Sequence, residues 1–95
     1  MIHITVWPEA IRFAGHAGYA PAGRDIVCAA VSALYHTLAE NLRARPGYAQ
    51  DGAEIRCPGA AREIAFVTRG LQAIADAYPD YVSVERETEG EKDAG

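Results

Sequence analysis

Val27, Val31, Leu34, Leu38 and Leu42 fall four, three, four and four residues apart, a spacing that only an α-helix gathers onto one side. The helix this predicts runs from Asp25 to about Arg43, where Arg45-Pro46-Gly47 ends it. A second stripe, Ile64, Val67, Leu71, Ile74 and Tyr78, predicts another helix from about Ala60 to Tyr78. Gly70 weakens that helix by roughly 1 kcal/mol relative to alanine, and Pro79 stops it. One-sided helices need an apolar surface to cover, and the rest of the chain has period two. Ile2, Ile4 and Val6 alternate with His3, Thr5 and Trp7, Pro8-Glu9 turns the chain, and Ala10 to Ala14 returns with Ile11 and Phe13 on one face. Ala53, Ile55 and Cys57 form a third strand closed by Pro58-Gly59, and Val82 and Val84 mark a last strand over Tyr81 to Glu85. The order is ββαβαβ. Its economical burial is an α+β two-layer domain, a mixed β-sheet with two helices packed on one face.

Ninety-five residues suffice for one hydrophobic core, so residues 1–85 read as a single domain and 86–95 as an acidic, disordered tail. With 49% hydrophobic and 23% charged residues the body is that of a folded protein, small enough for self-association to help it. Residues 85–95 carry five acids against Arg86 and Lys92, so most of the net charge of −4 lies there and Met1 to Val84 is close to neutral. A neutral body offers no source for the phosphate-contact energy of nucleic-acid binding, and no direct nucleic-acid partner is expected. No stretch is long and apolar enough for a membrane span, and no basic-then-apolar leader begins the chain, which reads as cytoplasmic. There the only cysteines, Cys28 and Cys57, remain thiols.

Between the second strand and the first helix, Gly15 to Gly23 holds three glycines, a proline and no periodicity, a loop able to move or to approach a substrate backbone. With Asp25 read as N-cap, Cys28 becomes the third helical residue, among unpaired N–H groups and at the positive end of the dipole. Both favour a thiolate nucleophile and offer an oxyanion hole. Cys28 and Ser32 also lie at the border of the apolar stripe, where a side chain can face a cleft. His16, on the loop, is positioned in sequence to act as base toward Cys28 and acid toward a leaving group. Against this stands the plainer reading: a cysteine in an apolar helix as a packing residue, a loop histidine in solvent, Asp25 as a cap and Ser32 as a small tolerated residue.

The run Gly15-His16-Ala17-Gly18-Tyr19-Ala20, with Gly23 and then Asp25-Ile26-Val27-Cys28-Ala29-Ala30-Val31-Ser32-Ala33-Leu34, resembles the signature of the bacterial ribosomal-processing cysteine protease family, Prp. Gly70-Leu71, Ile74-Ala75 and Tyr78-Pro79-Asp80-Tyr81-Val82 resemble that family as well. The resemblance implies a homodimeric cysteine endopeptidase that removes a short N-terminal extension from a large-subunit ribosomal protein before ribosome assembly. On it His16 and Cys28 take the catalytic positions, Asp25 and Ser32 support them, and Gly15, Ala17, Gly18 and Tyr19 form the substrate loop. It implies no cofactor and no metal, and it leaves Arg45 to Ala60 unassigned.

The remaining candidates have plainer roles. Cys57 reads as a small packed residue, His3 as a sheet-face residue and His36 as solvated. No close ligand pair supports zinc at His16, Cys28 and Cys57. Gly15-His16-Ala17-Gly18 also satisfies the GxxG of a KH-type RNA-binding loop, the alternative to an enzyme. It follows a hairpin rather than joining two helices, and it carries no lysine or arginine. A non-catalytic ribosome-associated interaction module is the third reading.

Overall fold

Alternation at the start of the chain yields the expected hairpin: β1 (Ile2–Trp7) pairs antiparallel with β2 (Ala10–Gly15), Ile4 opposite Phe13 and Val6 opposite Ile11. The computed structural model describes residues 1–15 and 22–87, and of 22–25 the backbone only. The other elements are α1 (Ala22–Leu42), β3 (Ala49–Asp51), β4 (Glu54–Arg56), α2 (Ala61–Ala77) and β5 (Val82–Arg86). The sheet order is β3-β4-β2-β1-β5. β1 and β5 run parallel, and the other neighbours antiparallel. A hairpin can only make antiparallel neighbours, whereas β5 arrives over the crossover helix α2 and is free to lie parallel to β1.

One face of this sheet holds the core. Ile2, Ile4, Val6, Ile11, Ile55 and Val82 are buried there against Val27, Val31, Leu38 and Leu42 of α1 and Ile64, Val67 and Leu71 of α2, all in one cluster. This is the two-layer α+β architecture expected from the stripes. Thr68, buried within the second stripe, satisfies its hydroxyl by donating to the Ile64 carbonyl at 2.7 Å. His3, Arg12 and Arg56 stand on the other face, exposed.

Several features differ from the sequence reading. The stretch after Pro46 contains one more strand, β3, too short and too exposed to leave a periodic signature. Helix α1 begins at Ala22, three residues before the expected Asp25, which makes Asp25 its fourth residue and not its N-cap. A single glycine costs a helix only about 1 kcal/mol relative to alanine, so Gly23 does not prevent the earlier start, and each added residue brings a backbone hydrogen bond. β5 runs to Arg86, one residue beyond the expected strand; from residue 88 onward the expected tail lies outside the described residues. No described helix is long and apolar enough to cross a membrane.

Behind α1 the chain is strapped by Arg45, whose Nη1 donates to Glu63 Oε2 at 2.6 Å and whose Nη2 donates to the Gly59 carbonyl at 3.1 Å. Gly59 N–H in turn donates to Glu9 Oε2 at 3.2 Å, which links the β1–β2 turn to the start of α2. The Arg45 hydrogen bond holds the Glu63 carboxyl below the usual glutamate range. With the folded pKa lowered, the contribution is complete above the unfolded value of about 4.3 and disappears as pH falls through the lower folded one. Glu63→Gln is therefore expected to lower Tm slightly at pH 7 and to flatten the acid limb of Tm against pH, read by thermal unfolding from pH 7 to 3.

Candidate active site

Cys28 is the seventh residue of α1 and is exposed, although its neighbours Val27 and Val31 along the chain are buried. At 100° per residue it sits on the edge of the apolar stripe, as expected, with Ser32 exposed one turn further along the same edge. Its surroundings differ from the expectation. Cys28, the seventh residue of α1, lies past its first turn, so its own amide is within the helical ladder and not among the helix-start N–H groups. Helix-start donors therefore do not encircle the thiol. What the helix does supply is direction, because each Cα–Cβ bond tilts toward the N-terminus and so aims Cys28 back toward the end where the chain enters from β2.

On the sheet side of that connection stands Gly15. It is not part of a free loop but the last residue of β2, paired with Ile2, at φ +86°. A Cβ at this position would collide with the backbone carbonyl oxygen of Met1. The chain thus leaves the sheet beside the start of β1, immediately before His16 in sequence. His16, Ala17, Gly18 and Tyr19 lie outside the described residues, as does the side chain of Asp25.

Two turns beyond Cys28 and on nearly the same bearing, Tyr35 meets Phe13 of β2 edge-on, ring centroids 5.0 Å apart, and His36 at 5.1 Å. The Tyr35 hydroxyl accepts from Gln50 Nε2 at 2.6 Å, and Tyr48 donates to Gln50 Oε1 at 2.7 Å. The flank of α1 that carries Cys28 is thereby seated over β2 and clasped by the β3–β4 hairpin. Sequence reasoning read a strand at Ala53 to Cys57 but missed this clasp, because its partners, Tyr35 and Gln50, are fifteen residues apart and no local spacing marks the contact.

Cys57 is fully buried just after β4, the packing role expected for it. His36 is exposed, and His3 Nδ1 lies 3.0 Å from Ser83 Oγ on the open sheet face. Among the described residues no three His, Cys, Asp or Glu side chains gather as a metal would require. The exposure contrast makes Cys28 the thiol that alkylating reagents reach first. Iodoacetamide labelling of the native protein, mapped by mass spectrometry, is expected to modify Cys28 well before Cys57, and equal rates would contradict the packing described here.

Comparison with known proteins follows the same outline. The family model described as cysteine protease Prp matches residues 1–83. No curated protein matches the chain. Among solved structures, the essential ribosomal processing protease Prp from S. aureus in complex with a covalently linked product peptide superposes with a TM-score of 0.74 at 21% identity, covering 92% of this chain and all of that one. The same S. aureus protease in complex with a substrate peptide gives the same figures. SMU.848 from Streptococcus mutans superposes with a TM-score of 0.69 at 24% identity, covering 93% of this chain and 95% of that one. At such identities the superpositions establish a shared fold.

Proposed function

The chain belongs to the cysteine protease Prp family and is a cysteine protease, and from that premise we propose that it is a ribosomal-processing endopeptidase removing a short N-terminal extension from a large-subunit ribosomal protein. The observation that carries the reading onto particular residues is Cys28, the exposed one of two thiols, on the edge of α1 and aimed at the end where the Gly15–His16 connection enters. The S. aureus relative, a ribosomal processing protease bound to substrate and product peptides, supports the substrate class.

In this reading the Cys28 thiolate attacks the scissile carbonyl carbon, forming a C–S bond and a tetrahedral oxyanion. His16 passes a proton to the departing amine as the C–N bond breaks. Water, deprotonated by His16, then opens the thioester, releasing the acid and restoring the Cys28 thiolate beside a protonated His16. Asp25 and Ser32, a turn before and a turn after Cys28, orient the pair, and Gly15, Ala17, Gly18 and Tyr19 shape the approach of the peptide.

The enzyme works in the cytoplasm as a homodimer, a state that adds buried surface to a small core. Light scattering across a dilution series is expected to give a dimer mass down to micromolar concentration, and a monomer mass there counts against it. The activity itself is tested with a peptide copied from the first residues of the host's ribosomal protein, with products identified by mass spectrometry. One cut near the end of the extension is expected, and an intact peptide would reject the reading.

A further inference from the structure

Hydrogen bonds across the sheet fix which way each backbone group of β2 points. Ile2 N–H donates to the Tyr81 carbonyl at 2.8 Å and Glu87 N–H to the Val6 carbonyl at 2.7 Å, so Ile2, Ile4 and Val6 turn their backbone groups toward β5. The β2 residues opposite them, Gly15, Phe13 and Ile11, therefore form the pairs that are not bonded to β1 and point away from it, toward β4. Phe13 shows this parity directly, its N–H donating to the Ala53 carbonyl at 3.1 Å. For Gly15, at φ +86°, the direction holds for the N–H, which is set by the peptide plane shared with Ala14.

β4 does not follow β2 that far. Its register ends with Glu54 opposite Arg12, Ala53 adds the one bond to Phe13, and the turn at Gly52 takes the chain over to β3. The Phe13 carbonyl and the Gly15 N–H are left on an edge along which, among the described residues, no strand runs, and Ala14 and Gly15 are exposed. Cys28 stands toward this same end. Through Arg45, Gly59 and Glu9 the far end of α1 is tied to the turn before β2, so α1 runs back along β2. Tyr35 packs on Phe13, and Cys28, seven residues earlier on nearly the same bearing, lies about 10 Å nearer the start of α1. Gly15 lies about 7 Å beyond Phe13 in that direction.

We propose that the substrate peptide binds as an added strand on the end of β2, in line with β4, one of its amides donating to the Phe13 carbonyl and one of its carbonyls accepting from the Gly15 N–H. The inference rests on the protease reading above and adds how the peptide is held. A strand edge that offers a donor and an acceptor pairs with an extended chain through main-chain bonds, whatever its sequence. Gly15 has no side chain to obstruct the incoming backbone. Side chains of an added strand alternate between the two faces, so every second residue of the peptide faces α1, with Cys28 and the Phe13–Tyr35 pair, and the others face the open side of the sheet. Side-chain preference is therefore confined to alternate positions of the substrate.

The test uses the peptide copied from the first residues of the host's ribosomal protein, beside twins each N-methylated at one amide, which removes one donor. The full chain carrying Cys28→Ala, which leaves β2 untouched, is titrated with peptide while amide hydrogen exchange is followed by NMR. The Gly15 amide is expected to exchange at least about tenfold more slowly with peptide than without it. One twin methylated away from the scissile bond is expected to bind about tenfold more weakly, the loss of a single hydrogen bond, and with the wild-type chain to raise KM at unchanged kcat. Gly15 exchange unaltered by the peptide, or methylation tolerated at every amide outside the scissile bond, would overturn the proposal. The reading beneath it fails separately: protection of Gly15 with no cleavage by the wild-type chain supports strand addition while rejecting this peptide as the substrate.

Discussion

Cys28→Ala is expected to reduce cleavage of the ribosomal-protein peptide by at least about a thousandfold, and His16→Ala to fall nearly as far. The double variant should be scarcely worse than either, because a nucleophile and its base act as one unit whose losses do not add. The measurement is single-turnover cleavage followed by mass spectrometry, with each variant first shown to unfold at the wild-type temperature. Cys28 is exposed and outside the core cluster, so truncating it opens no cavity. A loss of activity is then chemical. Cys57→Ala provides the contrast: it empties a fully buried position and should lower Tm while sparing the specific activity of the folded fraction. Asp25→Ala separates two readings. An N-cap would cost about 1 kcal/mol of stability when removed, but Asp25 is the fourth residue of α1, so no such loss is expected, and any effect should appear in turnover. Substantial activity in Cys28→Ala would remove the nucleophile assigned here.

Gly15→Ala is expected to be the most damaging small substitution outside the core. The residue combines a left-handed φ, which costs an L-residue roughly 1–2 kcal/mol, with a Cβ site already occupied by the Met1 carbonyl oxygen. To relieve the collision the last pair of the β1–β2 ladder, Ile2 with Gly15, has to open. Gly52, in the β3–β4 turn, has φ +62° and nothing within 4 Å of a Cβ, so Gly52→Ala isolates the conformational cost. Urea unfolding of the two variants should show Gly15→Ala destabilised by at least about 1 kcal/mol more than Gly52→Ala, which for a domain this size is about 4–8 °C in Tm. Equal losses would mean that the β1 terminus yields without cost. Since Gly15 sets where the chain leaves the sheet toward His16, turnover per folded molecule is expected to fall as well.

Sequence alone determined what depends on period and on local chemistry. The spacing from Val27 to Leu42 and from Ile64 to Tyr78 calls for helices with one buried side. The alternation at Ile2, Ile4 and Val6 requires a strand with one buried face, and a chain with one core must bring these faces together. The edge position of Cys28, the burial of Cys57 and the family itself could be read the same way, from stripe geometry and from a run of residues. Tertiary structure decided what depends on partners far along the chain. Where α1 begins is one case: Asp25 is a good cap by type, yet a cap is only one hydrogen bond, and the helix starts at Ala22. The clasp of Tyr35, Gln50 and Tyr48 is another, since it joins a helix to a hairpin through residues that share no period. Gly15 is the clearest. Its type suggested a supple loop, but the carbonyl of Met1, at the other end of a paired strand, makes it the fixed point from which that connection departs, because a steric exclusion belongs to two segments and is written in neither.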